Sequence, residues 1–343
     1  MVAKSLNRFI VAAALFGMVL ISSCGTDEPT DNGNIDLKEG LLVLNEGGFQ
    51  KGNSSLAFIE LDSGNVRTNL YQSANNKALG DVGQSFSMIN NLLYVVVNNS
   101  QQIKVLDATD FTEKNVIEGF TSPRQILPVS NNRAYVSDLF GNAVSVVDLN
   151  TNMITNKIKL KGYTEKMAIT GNNAYITNNA THYVYVVDVQ SDAIFDSVEV
   201  GGKNDEVHML NTNVVVVRNA DLENDIKAAF VTISPSTNTV ISTVEFNATA
   251  TVWDAKTVLY QNEIYAVHEG KVIKFNGNEV IELFSVTGVS VSNGIYVNDD
   301  HIYITDARDY SSTGAVVEFD MSGNLLNSYE TGIIPSNLMF MQL

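Results

Sequence analysis

The chain has 343 residues, a formal net charge of −17 and an apolar fraction of 45%. That charge excludes nucleic acid as a partner, because phosphate binding rests on clustered Lys and Arg. A single cysteine, Cys24, excludes any disulfide within one chain. In chain order, Lys4 and Arg8 precede an apolar run from Phe9 to Ile21, too short for a comfortable membrane span. Residues 1–23 therefore read as a signal peptide. Residues 24–38 are polar and acidic, with Gly25, Pro29 and Gly33, and read as a flexible tether. Glu28, Thr30, Asn32, Gly33 and Glu39 echo a calcium loop only loosely, because such a loop wants Asp or Asn at most ligand positions.

From residue 39 the sequence repeats itself. Leu92-Leu93-Tyr94-Val95-Val96, Arg133-Ala134-Tyr135-Val136-Ser137, Asn173-Ala174-Tyr175-Ile176-Thr177, Glu263-Ile264-Tyr265-Ala266-Val267 and His301-Ile302-Tyr303-Ile304-Thr305 are copies of one unit. A sixth copy, Asn213-Val214-Val215-Val216-Val217, replaces the Tyr with Val. Spacing of about 40 residues is that of a β-propeller blade. Each unit fits four short strands, Val, Ile and Tyr supplying the pleated surface and Asn, Asp and Gly the turns. Adjacent apolar residues, as in Val144-Ser145-Val146-Val147-Asp148, imply burial on both faces. Six complete units run over 84–118, 125–160, 166–199, 206–247, 255–285 and 293–331. Ahead of them Leu41–Asn45, Ser55–Asp62 and Val66–Leu70 make a unit without a first strand. The expected fold is all-β: one seven-bladed β-propeller over 39–343, closed by Leu338–Leu343 pairing beside Leu41–Asn45.

The sequence carries no G-x-S-x-G, no H-E-x-x-H and no glycine-rich phosphate loop. His182, His208, His268 and His301 are not spaced as a local metal pair. Neither catalysis nor a cofactor is expected. Candidate binding residues come from blade geometry instead. Loops between second and third strands share a face with the loops that enter each new blade. At the ends of the second strands stand Asn45, Val97 with Asn98, Asp138, Asn178, Arg218, His268 and Asp306. They are either ordinary turn residues meeting solvent or part of a binding surface. Phe49, Phe140, Tyr183, Tyr310 and the sole tryptophan, Trp253, lie in or beside loops of the same face. Each ring either plugs a seam between blades or contacts a ligand. Arg124 shares that face and suits an anionic group. From Val215 to Tyr265 is 50 residues, against 40 from Tyr135 to Tyr175. Much of the excess is the insertion Asn219–Asp225, where Asp221, Glu223 and Asp225 offer either a hard-cation site or a solvated acidic loop.

Two resemblances add to this. Ile21-Ser22-Ser23-Cys24 resembles a bacterial lipobox, with Cys24 the lipidated first residue of the mature protein. Two or more acyl chains would anchor it stably. The units built on Ser122-Pro123-Arg124-Gln125-Ile126, Ala134-Tyr135-Val136-Ser137 and Val144-Ser145-Val146-Val147-Asp148 resemble YncE-like seven-bladed propellers. Leu44-Asn45-Glu46-Gly47-Gly48-Phe49, Leu79-Gly80-Asp81 and Tyr303-Ile304-Thr305-Asp306-Ala307-Arg308-Asp309-Tyr310 are similar to a narrower group of surface lipoproteins that includes the BtuG-type proteins. That resemblance implies a lipid-anchored, surface-exposed outer-membrane protein. It would capture cobalamin or a related corrinoid and pass it to a TonB-dependent outer-membrane transporter. The residues suit such a ligand: Asn and Gln pair with corrin amides, aromatics cover apolar faces, Arg124 or Arg218 meets the phosphate, and His268 approaches the metal ion. A scaffold or glycan-contacting propeller is the alternative. A third reading is a lactonase-like hydrolase using Glu46, Asp138, His268 and Asp306.

Overall fold

The computed structural model describes residues 39–248 and 256–342. The signal peptide, Cys24, the tether, Trp253 and Leu343 lie outside the described residues. The ring consists of seven four-stranded antiparallel sheets. Six follow the chain in simple order, from 83–118 in blade 2 to 292–333 in blade 7. Blade 1 is completed as expected: Pro335–Gln342 becomes its first strand and pairs with Glu39–Asn45, placing Leu41 opposite Phe340 and Val43 opposite Leu338. The first strands of successive blades touch one another all the way round, so they line the axis and the fourth strands form the rim.

Alternation within the strands explains the Val-rich sequence. Leu42 and Leu44 enter the seam with blade 2, whereas Leu41 and Val43 enter the seam with blade 7. In blade 2, Val95 and Val97 face blade 1 while Tyr94 and Val96 face blade 3. Successive side chains point to opposite faces of a sheet, so a sheet pressed between two neighbours must be apolar at every position. The described residues form seven such buried clusters, each shared by two adjacent blades.

The repeated tyrosine has a specific task. The Tyr94 hydroxyl donates to Asn152 Oδ1 at 3.3 Å, Tyr135 to Asp192 Oδ1 at 2.5 Å and Tyr175 to Asn238 Oδ1 at 2.6 Å. Each acceptor sits in the turn between third and fourth strands of the following blade, in the left-handed region with φ of 54°, 54° and 51°. Asn and Asp tolerate that conformation better than most residues, so one side chain both makes the turn and closes the seam. Where blade 5 carries Val215, the seam with blade 6 closes by stacking instead. Phe230 and Phe275 lie parallel with centroids 4.5 Å apart, and Phe246 tilts against Phe230. In blades 6 and 7 the tyrosines turn to their own sheets, Tyr265 to Glu263 and Tyr303 to Glu318.

One element departs from the sequence reading. The strand expected over Val66–Leu70 is only Val66–Arg67, and the chain then turns into a helix, Leu70–Asn75. This helix buries Leu70 and Tyr71 in the seam between blades 1 and 2. Tyr71 donates to Glu113 at 2.5 Å, and Asn75 holds Phe111 O and Glu113 N. It stands where blade 1 would otherwise extend its short fourth strand.

Candidate functional site

Each first strand begins, each second strand ends and each third strand begins at one face of the ring, here called the upper face. The loops that enter the blades reach the same face. The polar residues at the ends of the second strands hold those entry loops in place. Asp138 is buried and accepts N–H bonds from Thr121 at 2.7 Å and Ser122 at 2.8 Å. Asn178 accepts from Tyr163 N and donates to Lys161 O. Asp306 accepts from Val291 N and Arg308 N, both at 2.9 Å. Asn45 meets Thr331 Oγ1, and Asn98 donates to Ser122 Oγ and Pro123 O. His268 Nε2 lies 2.7 Å from Asn247 O, its ring edge-on to Phe246. Arg218 bonds Lys227 O and Val200 O, and pairs with Glu245 at 3.0 Å. The pattern visible in the sequence is thus a set of loop anchors, since a buried loop N–H or C=O must find a partner.

The aromatic candidates behave differently. Phe49 is 66% exposed, Phe140 57% and Tyr310 56%, while Tyr183 is exposed to a lesser degree. Phe49, Phe140 and Tyr310 stand on firm loops rather than in seams, and Tyr183 opens the third strand of blade 4. Gly48 N bonds Asn53 Oδ1 and Gln50 N bonds Asp81 Oδ1 on either side of Phe49. Asp309 accepts N–H bonds from Ser312 and Ser311 beside Tyr310, and these bonds hold its carboxyl well below the usual carboxylate range. Phe140 meets Tyr163, also exposed, in an edge-to-face contact at 5.5 Å. Gly141, next to Phe140, packs so closely on Asp138 that a Cβ would lie 2.5 Å from its carboxyl carbon. The insertion in blade 5 adds the exposed Leu222 to this face. Asp221 is spent there in capping a turn of 3-10 helix, accepting from Asn224 N. Among the described residues no three His, Cys, Asp or Glu side chains gather as metal ligands, so Asp221, Glu223 and Asp225 form no such group.

Below the loops, the first residues of the first strands form a polar collar around the axis. A break in register marks this point in most blades, as between Gly83 and Ser85 or between Pro123 and Ile126. Such a bulge re-aims side chains. Asn293 donates to Pro335 O and Glu46 Oε1, and Asn337 to Gln84 O. Arg124 then donates to Gln84 Oε1 at 2.5 Å and, through Nε, to Glu165 Oε2 at 2.6 Å. Arg124 is therefore already neutralised by a carboxylate. Across the axis, His208 Nε2 lies 2.6 Å from Thr257 Oγ1, which lies 3.3 Å from Glu206 Oε2. Burial, then the neighbouring Lys166 ammonium, pushes the His208 imidazole down to about 4.

Of the sequence candidates, Phe49, Phe140, Tyr183 and Tyr310 share the upper face as exposed rings. Asp138, Asn178, Arg218, His268 and Asp306 share it as anchors, each in its own blade. Glu46, Asp138, His268 and Asp306 belong to four blades: Glu46 accepts from Asn293 of a first strand, and the other three each hold a separate entry loop. The sequence reading missed Glu165, Lys166, Glu206, His208 and Thr257. For the charged ones the signal was a pair of charges at the second and third positions of first strands: Glu165 with Lys166 and Asp205 with Glu206.

Solved structures of the same fold are diverse in kind. The chain is similar to a quinoprotein alcohol dehydrogenase-like protein from Bacteroides thetaiotaomicron VPI-5482, with a TM-score of 0.65 and 16% identity over 89% of this chain and 78% of that one. It is similar to a functionally unknown protein from Desulfotomaculum acetoxidans DSM 771, with a TM-score of 0.68 and 12% identity over 89% and 99%. It is also similar to Kuenenia stuttgartiensis hydrazine synthase, with a TM-score of 0.62 and 13% identity over 76% and 95%. At these identities the likeness carries the fold alone. No curated protein matches the chain. Residues 39–331, nearly the whole ring, match the family described as a domain of unknown function, DUF5074, and the chain belongs to that family.

Proposed function

We propose that the protein is a lipid-anchored, surface-exposed outer-membrane propeller that captures a broad, rigid ligand on its upper face. Cobalamin or a related corrinoid is the named candidate, with delivery to a TonB-dependent outer-membrane transporter. The observation that carries this reading is the set of rings Phe49, Phe140 and Tyr310, each more than half exposed on braced loops of separate blades. Rings gathered on one face offer apolar contact area, and rigid aromatic anchors bind at low entropic cost. No nucleic acid is involved.

Calorimetric titration of the purified ring with cyanocobalamin tests it. Saturable binding is expected. Phe49→Ala, Phe140→Ala and Tyr310→Ala are each expected to weaken it by about thirtyfold, the loss of about 2 kcal/mol typical of an anchoring aromatic. Trp253→Ala should do the same with an unchanged Tm. No heat above that of buffer would sink the reading. Anchoring is tested by Cys24→Ser, which should release the protein from membranes, and display by protease added to intact cells.

The loop anchors favour a second reading. With Asp138, Asn178 and Asp306 satisfied internally, the free chemistry of the face is mostly aromatic, which also suits stacking on sugar rings. A glycan-contacting scaffold would bind oligosaccharides and ignore cyanocobalamin, and the same three variants would abolish that binding.

A further inference from the structure

The axis of the ring holds a second feature that the aromatic loops do not explain. Just beneath the upper face lies a cavity of about 120 Å3, lined by Lys166, Glu206, Lys256, Thr257, Gly294 and Asn337. These residues come from five blades and from first strands or the residue entering one, so the cavity sits on the channel itself. Its volume equals that of about four water molecules in the liquid. It is ample for one tetrahedral oxyanion.

The cavity lies against the part of the collar that blades 4 to 7 and blade 1 supply. From blade 7 through blades 1, 2 and 3 to blade 4, side chains hand hydrogen bonds from one first strand to the next, ending at the Arg124–Glu165 pair. Lys166 follows Glu165 in the same strand, and the next side-chain bonds between first strands join blades 5 and 6 through His208, Thr257 and Glu206. The Lys166 backbone N–H is held by Thr177, but among the described residues its ammonium has no hydrogen bond or ion pair. It is only half-buried, and its field reaches His208. The two arginines that the sequence offered for an anion are already matched, Arg124 with Glu165 and Arg218 with Glu245. Lys166 is a cation of the channel wall whose charge is left for something else. A lysine is well suited to this: it meets phosphate as a compact point charge with three donors.

We propose that Lys166 forms an oxyanion site in the channel, which takes inorganic phosphate or the phosphate group of a larger ligand seated on the aromatic loops. Glu206 keeps its charge on the same wall, so Lys166 and Lys256 together leave the lining one positive charge in excess. Gly294 keeps the wall low: a Cβ there would lie 1.8 Å from Ser336 O. For a larger ligand the site rests on the capture reading above, but for free phosphate it stands alone.

The test uses the whole ring and two probes. Inorganic phosphate, matched against chloride at equal ionic strength, should raise the Tm saturably and broaden the phosphorus-31 resonance. Lys166→Met should weaken phosphate about tenfold or more, and Lys166→Arg should restore it. In the second arm, cyanocobalamin is compared with cobinamide, which lacks the nucleotide phosphate. Lys166→Met should weaken the first and leave the second unchanged. Phosphate binding without corrinoid binding keeps this site and sinks the capture reading. Corrinoid binding that ignores Lys166→Met, together with no phosphate effect on the wild type, overturns this site and leaves the capture reading standing. Equal phosphate effects in wild type and Lys166→Met also overturn it, since the ion then binds elsewhere.

Discussion

Two arcs of the ring solve one problem differently. Between blades 2 and 5, a tyrosine hydroxyl crosses each seam to a left-handed turn residue of the next blade. Between blades 5 and 6, Val215 has no hydroxyl, and three phenylalanines fill the seam. A buried hydroxyl needs a partner, whereas an apolar stack needs only shape. The regular arc therefore demands a fixed turn in every copy, and the irregular arc is released from that demand. The insertion Asn219–Asp225 belongs to the irregular arc, and the channel cavity borders that arc through Glu206 and Thr257. Uniform seams hold the ring together, and the departures collect where side chains are left for other work.

The bluntest way to erase the contrast is to open the ring. Removal of the chain from Asn337 onward strips the first strand from blade 1 and exposes Leu42 and Val43 in two seams at once. The expected result is loss of a cooperative unfolding transition, followed by circular dichroism. Phe275→Ala attacks the irregular arc alone. With both Phe230 and the blade 6 core unsupported, it should cost about 3–5 kcal/mol in urea denaturation. A loss below about 1 kcal/mol would show that the stack does not carry that seam.

The pH dependence of stability comes next. His208 titrates near 4 in the fold against 6.5 for the free group. Its neutral form is favoured by folding, so this stability is fully present above pH 6.5 and is lost as pH falls towards 4, by at most about 3 kcal/mol. His208→Gln should flatten the stability profile over that window. Tyr135→Phe tests the regular arc and should cost about 1–2 kcal/mol, because Asp192 keeps Arg133 as a partner. Smallest of all, Phe49→Ala should change stability by less than about 0.5 kcal/mol, as expected of an exposed ring. A larger loss would make Phe49 a structural residue.

The fold could be read from the sequence because every blade repeats the same burial problem. Seven units, the clasp and the double-faced third strands all follow from apolar spacing. The helix at Leu70–Asn75 could not be read, since only Leu70 and Tyr71 are buried and six residues show no period. The strand-end residues were visible and their purpose was not. Asp138 and Asp306 bind loop N–H groups, and a main-chain partner leaves no mark in a sequence. His208, Thr257 and Glu206 were hidden for another reason: two neighbouring blades bring them together, so no linear spacing joins them. The loops that carry Phe49, Phe140 and Tyr310 were legible, but the sequence left open whether each ring fills a seam or faces solvent, because that depends on the neighbouring blade.

The clasp has one more consequence. Glu39 lies opposite Gln342, at the end of blade 1 remote from Asn45 and Pro335. The ring thus begins and finishes at its underside, away from the aromatic loops. Immobilised on a sensor chip through a tag at either terminus, it would offer Phe49, Phe140 and Tyr310 to the flowing sample instead of the support.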